Sequence, residues 1–355
     1  MVAARMAVAD FGPTVLGLPI EVIDADTLNK IDHALGVANA WYNDGVDAIV
    51  DLPYSPVAVA VQKLARERSR TIMIATSSVT ELTSKLCGPT CSHWADDIHS
   101  LVRGSTQALN VVKEASWFLI SPSTPLGASV VANATPAIQA QGGTIVGTTG
   151  FPIGLVDFSP QIAEARASGA KVIGITSSGE DQIYLLRRIA QIGLQGRTGV
   201  IIVSFLVAIT EIDTLGLLAT QGLIFPAGFY WDHSDGTRAF SKRFFAERKR
   251  MPTGSHAQVY AATTHFLRAI AKAGTRDPFA VNLAMRALAI SRFGETMALR
   301  SDGRAMQDMV TYRVKSPEES TGPCDYLAPV ETVDAVDAFL AVNPACNITA
   351  PLPRP

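Results

Sequence analysis

Charge is scarce in this sequence and nearly balanced: 17% of its 355 residues are Asp, Glu, Lys or Arg, and the formal net charge is −2. Nucleic-acid affinity rests on neutralising phosphates, so this composition argues against a nucleic-acid partner. Long apolar runs are missing as well. A membrane-spanning helix needs roughly 18 to 20 consecutive apolar residues, and the longest apolar stretch, Thr198 to Ala208, is broken by Ser204. The motifs that announce enzymes are absent too: there is no G-x-S-x-G elbow, no phosphate-binding P-loop, no G-x-G-x-x-G and no H-E-x-x-H. An enzyme is therefore not expected.

Cysteine is rare, with four residues, Cys87, Cys91, Cys324 and Cys346. They allow three pairings, and the choice local in sequence joins Cys87 to Cys91 and Cys324 to Cys346. Oxidised pairs would suit an exported protein. The C-x3-C spacing of CGPTC is neither a redox C-x-x-C nor half of a zinc ribbon. His93, Asp96 and His99 drift around a helix instead of converging on one face. No metal or cofactor is expected.

What the chain does contain is apolar material, 48% of the residues, enough for a sizeable interior. Its length suits two α/β lobes. Apolar, β-branched runs predict buried parallel strands at residues 20–23, 46–52, 71–75, 117–121, 144–147, 171–176, 198–203 and 222–226. Amphipathic segments predict helices between them at 31–42, 57–68, 126–141, 158–168 and 181–192. The rhythm breaks between Thr71 and Trp117, where a longer loop and a helix from Trp94 to Val112 intervene. After Trp231 the pattern becomes helix upon helix through Ile290, then a strand at Met309 to Val314 and a Pro-rich tail after Cys346, expected to be disordered.

The stretch from Phe225 to Ala271 is the most informative. An apolar strand ends in the aromatic loop Phe229, Tyr230, Trp231 and Asp232, followed by a basic amphipathic helix, Pro252 and a second helix carrying Tyr260. This order resembles the solute-binding proteins of branched-chain amino acid ABC importers and their relatives that bind aromatic acids. The resemblance spans most of the chain. It implies an α/β fold of type I periplasmic-binding-protein kind, with two doubly wound parallel-sheet lobes joined by a hinge of several crossings. Lobe one would comprise 1–112 plus 235–308, and lobe two 113–234 plus 309–346. It also implies a small carboxylate ligand held in the interlobe cleft, an ABC permease as partner and a periplasmic location. The first twelve residues show no long apolar region and no cleavage site, so no export signal is expected there. A cytosolic or receptor-linked ligand sensor of the same fold is the alternative that this suggests.

In doubly wound sheets ligands sit at the carboxyl ends of strands, which directs attention to the loops there. Tyr54 and Ser55 follow the second predicted strand, Ser55 being a candidate N-cap. Ser77, Ser78 and Thr80 offer hydroxyls and amides suited to a carboxylate, and the resemblance places Ser78 on that group. Trp94 could wall the cleft. In the second lobe Thr124 stands where many relatives carry a Tyr, and Ser177, Gly179 and Glu180 open a helix. Phe229, Tyr230 and Trp231 supply a flat apolar wall. Leu218 occupies the place where the resemblance implies a Glu for an ammonium group, which argues against an α-amino acid and toward an aromatic or uncharged-tail carboxylate. Arg238, Lys242, Arg243, Arg248, Lys249 and Arg250 read as the solvated face of a helix, with permease docking the minority reading.

Proteins of this kind open with a strand and a Gly- or Ser-rich loop, and only then a helix ending like ARMAVADFG. Here the helix comes first. The central strand of lobe one is therefore expected to be missing, leaving a slot in the core, unless another segment fills it.

Overall fold

The computed structural model describes residues 1–107, 113–194, 199–346 and 348. The chain is α/β and divides into two units, one of Met1–Asp97, Phe229–Gln307 and Leu340–Pro355, the other of Ile98–Gly228 and Asp308–Phe339.

In the first unit the strands Ala48–Asp51, Thr71–Ile74 and Cys91–His93 form a parallel sheet in that order. Successive side chains of a strand point to opposite faces, and here they enter two different cores in alternation. Ile49, Ile72 and Ile74 join a core with Ala34, Ala38 and Tyr42 of the helix Ile31–Asn43 and Val57, Val61 and Ala65 of the helix Ser55–Glu67. Met73, with Ala48 and Val50, faces a second core built by Val2–Phe11, Asp235–Arg248, Gly254–Ala273 and Pro278–Ala287. The opening helix is fixed at its far end by Asp10, which accepts two bonds from Arg243 at 2.9 and 2.7 Å and one from the Tyr260 hydroxyl at 2.6 Å. A small antiparallel sheet, Ile290–Arg292, Glu295–Leu299 and Ala305–Met306, completes the unit. Its hairpin turn, Phe293 and Gly294, has φ of 51° and 90°, the two positive values of a type I′ turn.

The predicted strand at residues 20–23 does not form. Ile20 N donates to the Pro13 carbonyl at 2.9 Å, but Glu21 to Ile23 run without a ladder partner among the described residues, and Ile23 is 51% exposed. A strand exists only by pairing, and no strand among the described residues lies beside it. Between it and Ala48–Asp51 lies a cavity of about 500 Å³.

The second unit holds a seven-stranded sheet in the order Leu327–Val333, Met309–Val314, Ile224–Ala227, Ile201–Ser204, Val172–Ile175, Ser116–Pro122, Thr144–Phe151. The last five are parallel, and the first two join them antiparallel. Trp117, Leu119, Val172 and Val203 pack on one face with Ile98 and Val102 of the helix Ile98–Gln107 and Val130 and Ala134 of Pro125–Ala140. Ser159–Ala167 lies against the strands Ser116–Pro122 and Thr144–Phe151. The chain starts this sheet at Ser116–Pro122, adds Thr144–Phe151 on one side, then reverses to add Val172–Ile175 and its successors on the other. That reversal is a topological switch point.

Several expectations need correction. The helix placed from Trp94 to Val112 begins only at Ile98, because Cys91–His93 pairs as a strand. Its expected end at 108–112 lies outside the described residues, as does Thr198 at the head of the strand that runs Ile201–Ser204. The antiparallel strands after Pro278–Ala287, and Leu327–Val333, were not expected. The lobe boundaries also differ. Ile98–Gln107 belongs to the second unit, since Ile98 and Val102 pack in its core, and Phe229–Ser234 to the first, where Phe229 packs. Residues 340–346 go with the first unit because Cys346 is bonded to Cys87, and not to Cys324. Proximity in sequence misled the pairing: the two partners are 259 positions apart, and Cys91 and Cys324 stay outside any disulfide. The tail at 347–355 lies outside the described residues except for Ile348.

Candidate functional site

Parallel strands end together, so the loops that follow them in the first unit gather at one edge of its sheet. Leu52–Ser55 follows Asp51, Ala75–Thr80 follows Ile74, and Trp94 follows His93. Ser77 donates its hydroxyl proton to Ser55 Oγ at 3.1 Å, which ties two of the loops together. The Thr76 hydroxyl reaches Asp51 Oδ1 at 2.5 Å. Burial raises the Asp51 carboxyl above its usual range, with the Thr76 bond opposing.

The Ser77 loop is held from beneath by a buried chain of contacts. Arg304 donates to His93 Nδ1 at 2.8 Å, which leaves the proton on Nε2 to be donated to the Ser77 carbonyl at 2.6 Å. Arg304 is fully buried, donates to the Ala95 carbonyl, and stands 3.6 Å from the Asp97 carboxylate. Burial, and then the adjacent Arg304 charge, hold His93 well below its ordinary pKa, so the ring is neutral.

These contacts sort the expected residues. Ser77 is buried and committed to Ser55, so it shapes the loop. Ser55 opens its helix as the first helical residue, with Tyr54 at the N-cap position, so the expected Ser55 cap is corrected. Tyr54 is 43% exposed, while Ser78 and Thr80 are half-buried with hydroxyls that make no hydrogen bond among the described residues. Trp94 is not a cleft wall: it is fully buried, its ring centroid 5.7 Å from that of His265 and its indole N–H given to Ser92 Oγ at 2.9 Å. Phe229 is likewise a core ring, against Phe240 and Phe293. Tyr230 is buried beside Trp231, their centroids 5.8 Å apart, and Trp231 is half-buried against the same core.

In the second unit the loops at the switch point follow Ser116–Pro122 and Val172–Ile175. Thr176 donates to Ser121 Oγ at 2.8 Å, joining them. Thr124 caps Pro125–Ala140 by accepting from Gly127 N at 3.2 Å. Gly127 is required there, since a Cβ would stand 2.2 Å from the Pro122 carbonyl oxygen. Ser177 is 2% exposed, and its hydroxyl is buried without a hydrogen-bond partner among the described residues. Gly179, with φ 71°, is the N-cap position of Glu180–Gln191, a helix start that receives no side-chain cap among the described residues. Glu180 is exposed.

Sequence reading missed Glu211. Its carboxylate accepts from Gly179 N at 2.6 Å and from Ala208 N at 2.5 Å, joining two strand-end loops. Burial raises it to about 7, against the pull of those two bonds. No motif marks such a residue; only the fold brings position 211 to position 179.

A family model described as periplasmic binding protein matches residues 1–322. The chain belongs to that family. A branched-chain amino acid ABC transporter periplasmic ligand-binding protein from Burkholderia xenovorans is 32% identical, with 95% of this chain and 90% of that one covered and a TM-score of 0.88. A periplasmic binding protein from Burkholderia mallei is 30% identical over 96% of this chain and 90% of its own, also at TM-score 0.88. A solute-binding protein of an ABC transporter from R. palustris, solved with benzoate, shares the fold at 17% identity and TM-score 0.82, covering 99% of this chain and 93% of that one. No curated protein matches the chain. Among the described residues of this periplasmic binding protein, no helix is long and apolar enough to cross a membrane.

Proposed function

We propose that this chain is the ligand-capturing component of an ABC importer, working in the periplasm and delivering a small carboxylate, aromatic or branched aliphatic, to a permease. One observation carries the reading. At the switch point of the second unit a buried, unpartnered Ser177 hydroxyl sits beside the amide-rich start of Glu180–Gln191. Buried polar groups rarely stay unpaired, and a helix start favours an anion. Thr124 and Gly179 shape that surface, and exposed Glu180 borders it. In the first unit Tyr54, Ser55, Ser78 and Thr80 are the corresponding ligand contacts, set in place by Ser77, and Trp231 with Tyr230 is the aromatic element. Leu218, 77% exposed, brings no charge for an ammonium group, which favours an acid without one.

The test is thermal melting against a panel of acids. Benzoate-like and branched aliphatic carboxylates should raise the melting temperature, and free leucine should not. A clear rise with leucine and none with the acids would reverse the proposal.

A further inference from the structure

The helix Asp235–Arg248 of the first unit separates its residues by side. Thr237, Phe240, Ser241 and Phe244 are buried, and at about 100° per residue these positions make one face. The rings of Phe240 and Phe244 enter the core there. On one flank Arg243 gives two hydrogen bonds to the Asp10 carboxylate, at 2.9 and 2.7 Å. The helix is thus fixed in place by packing and by an ion pair, and what it shows to solvent is a preformed surface.

That surface is sorted by charge. Phe245 is 37% exposed, against 4% for Phe240 and 2% for Phe244. Lys242, three residues before it, and Lys249, four after, stand in its row along the helix, and Arg248, three after, stands beside it. Arg250 follows just past the helix end, and all four cations are exposed. Lys242, Arg248 and Arg250 make no ion pair among the described residues, while Lys249 Nζ donates to the Ala246 carbonyl at 2.8 Å. The acid of this stretch, Glu247, is turned about 160° away from Phe245 around the axis. Arg238, one turn earlier, is already spent on Asp232 and Asp235 at 3.0 and 2.6 Å. One cation in the last turn would suffice to complement the helix dipole. The dipole accounts neither for the others nor for a ring left outside among them.

We infer that the stripe Lys242, Phe245, Arg248, Lys249 and Arg250 is a docking surface for an anionic lipid bilayer. The cations meet the headgroup charge, and the Phe245 ring enters the apolar layer just beneath it. The long lysine and arginine stems let the charged ends stay at headgroup level while the ring goes deeper. Charge complementarity and the ring together select lipid over a folded acidic partner. The stripe lies on the outward curve of a helix, where a protein would need a pocket shaped for one ring, whereas a bilayer offers diffuse negative charge above an apolar layer at every point. The chain as a whole carries a net charge of −2, so attraction to an anionic surface has to be local. This inference is independent of the solute-binding proposal, because none of the five residues belongs to the solute site.

The probe is a vesicle of about 30% phosphatidylglycerol in phosphatidylcholine, sedimented with the intact chain at about 50 mM salt. The chain should co-sediment at about millimolar lipid, roughly tenfold less with pure phosphatidylcholine, and be largely released at about 300 mM salt. Lys242→Glu combined with Arg248→Glu should weaken binding by roughly tenfold or more. Phe245→Ser should weaken it by roughly fivefold and leave the salt dependence in place. These side chains are exposed, so the variants should melt within about 4 °C of the parent. Lys63→Glu combined with Lys272→Glu, both exposed elsewhere on the first unit, changes the net charge equally and should bind as the parent does. A folded chain that ignores the anionic vesicles would overturn the inference, as would an equal loss in the Lys63 and Lys272 pair. So would binding to bacterial inner-membrane vesicles that protease treatment abolishes, with none to the lipid vesicles, since the partner would then be a protein.

Discussion

Replacing Arg304 by Met removes a charge that the first unit has buried completely. Arg304 holds the His93 ring, the Ala95 carbonyl and the Asp97 carboxylate, the last 3.6 Å away. Methionine matches much of its volume but none of its donors, so Asp97, itself only 4% exposed at the side chain, loses its buried cationic partner. Breaking a buried pair from one side destabilises by about 3–5 kcal/mol. In a unit of this size each kcal/mol lowers the melting temperature by about 2–4 °C, so a fall of about 6–20 °C is expected. Denaturant unfolding at neutral pH measures it, and Asp97→Asn in the same background tests the cause: the double variant should recover part of the loss. The pH profile supplies a second check. His93 binds a proton far less readily folded than unfolded, so the unfolded chain takes up more protons below about pH 6.5 and stability falls as pH drops through that range. Burial, the first cause of that shift, survives the substitution, so the direction of the pH dependence should persist in the variant. A loss under about 1 kcal/mol, or a variant indifferent to Asp97, would refute the claim that this pair secures the Ser77 loop.

Glu211 should act in the opposite sense on pH. Its folded pKa, about 7, lies above the ordinary 4.5, so the folded chain holds the proton longer and stability falls as pH rises between those values. Glu211→Gln should flatten that segment of the stability profile, measured by urea unfolding at fixed pH steps; an unchanged profile would assign the dependence elsewhere. Cys346→Ser should lower stability by roughly 2–5 kcal/mol in oxidising buffer and hardly at all in reducing buffer, where the parent chain has already lost the Cys87–Cys346 bond. Equal melting of parent and variant in oxidising buffer would show the bond to be without consequence.

Much of the architecture was legible because local periodicity and burial agree. The strand expected at 309–314 forms as Met309–Val314, and the helix expected at 31–42 as Ile31–Asn43. Both carry their whole signal within their own residues. The segment at 20–23 carries the same β-branched signal, yet stays unpaired because a strand depends on a neighbour. Leu327–Val333 went unseen for a related reason: mostly exposed along its length, it lacks an apolar run and exists by pairing with Met309–Val314. At the candidate site the strand-end loops could be named from their positions, but not the duties of their side chains. Ser77 and Ser178 look alike in sequence; one is buried against Ser55, the other exposed.

The sequence by itself determined the α/β alternation, the position of most helices and strands, and the likeness to periplasmic binding proteins, since each depends on patterns within short windows. Tertiary structure alone decided that Cys87 bonds Cys346, that Trp94 is core and that Glu211 serves Gly179. Those are relations between residues far apart in the chain. Periodicity reports which side of an element is buried, but only packing determines what it is buried against.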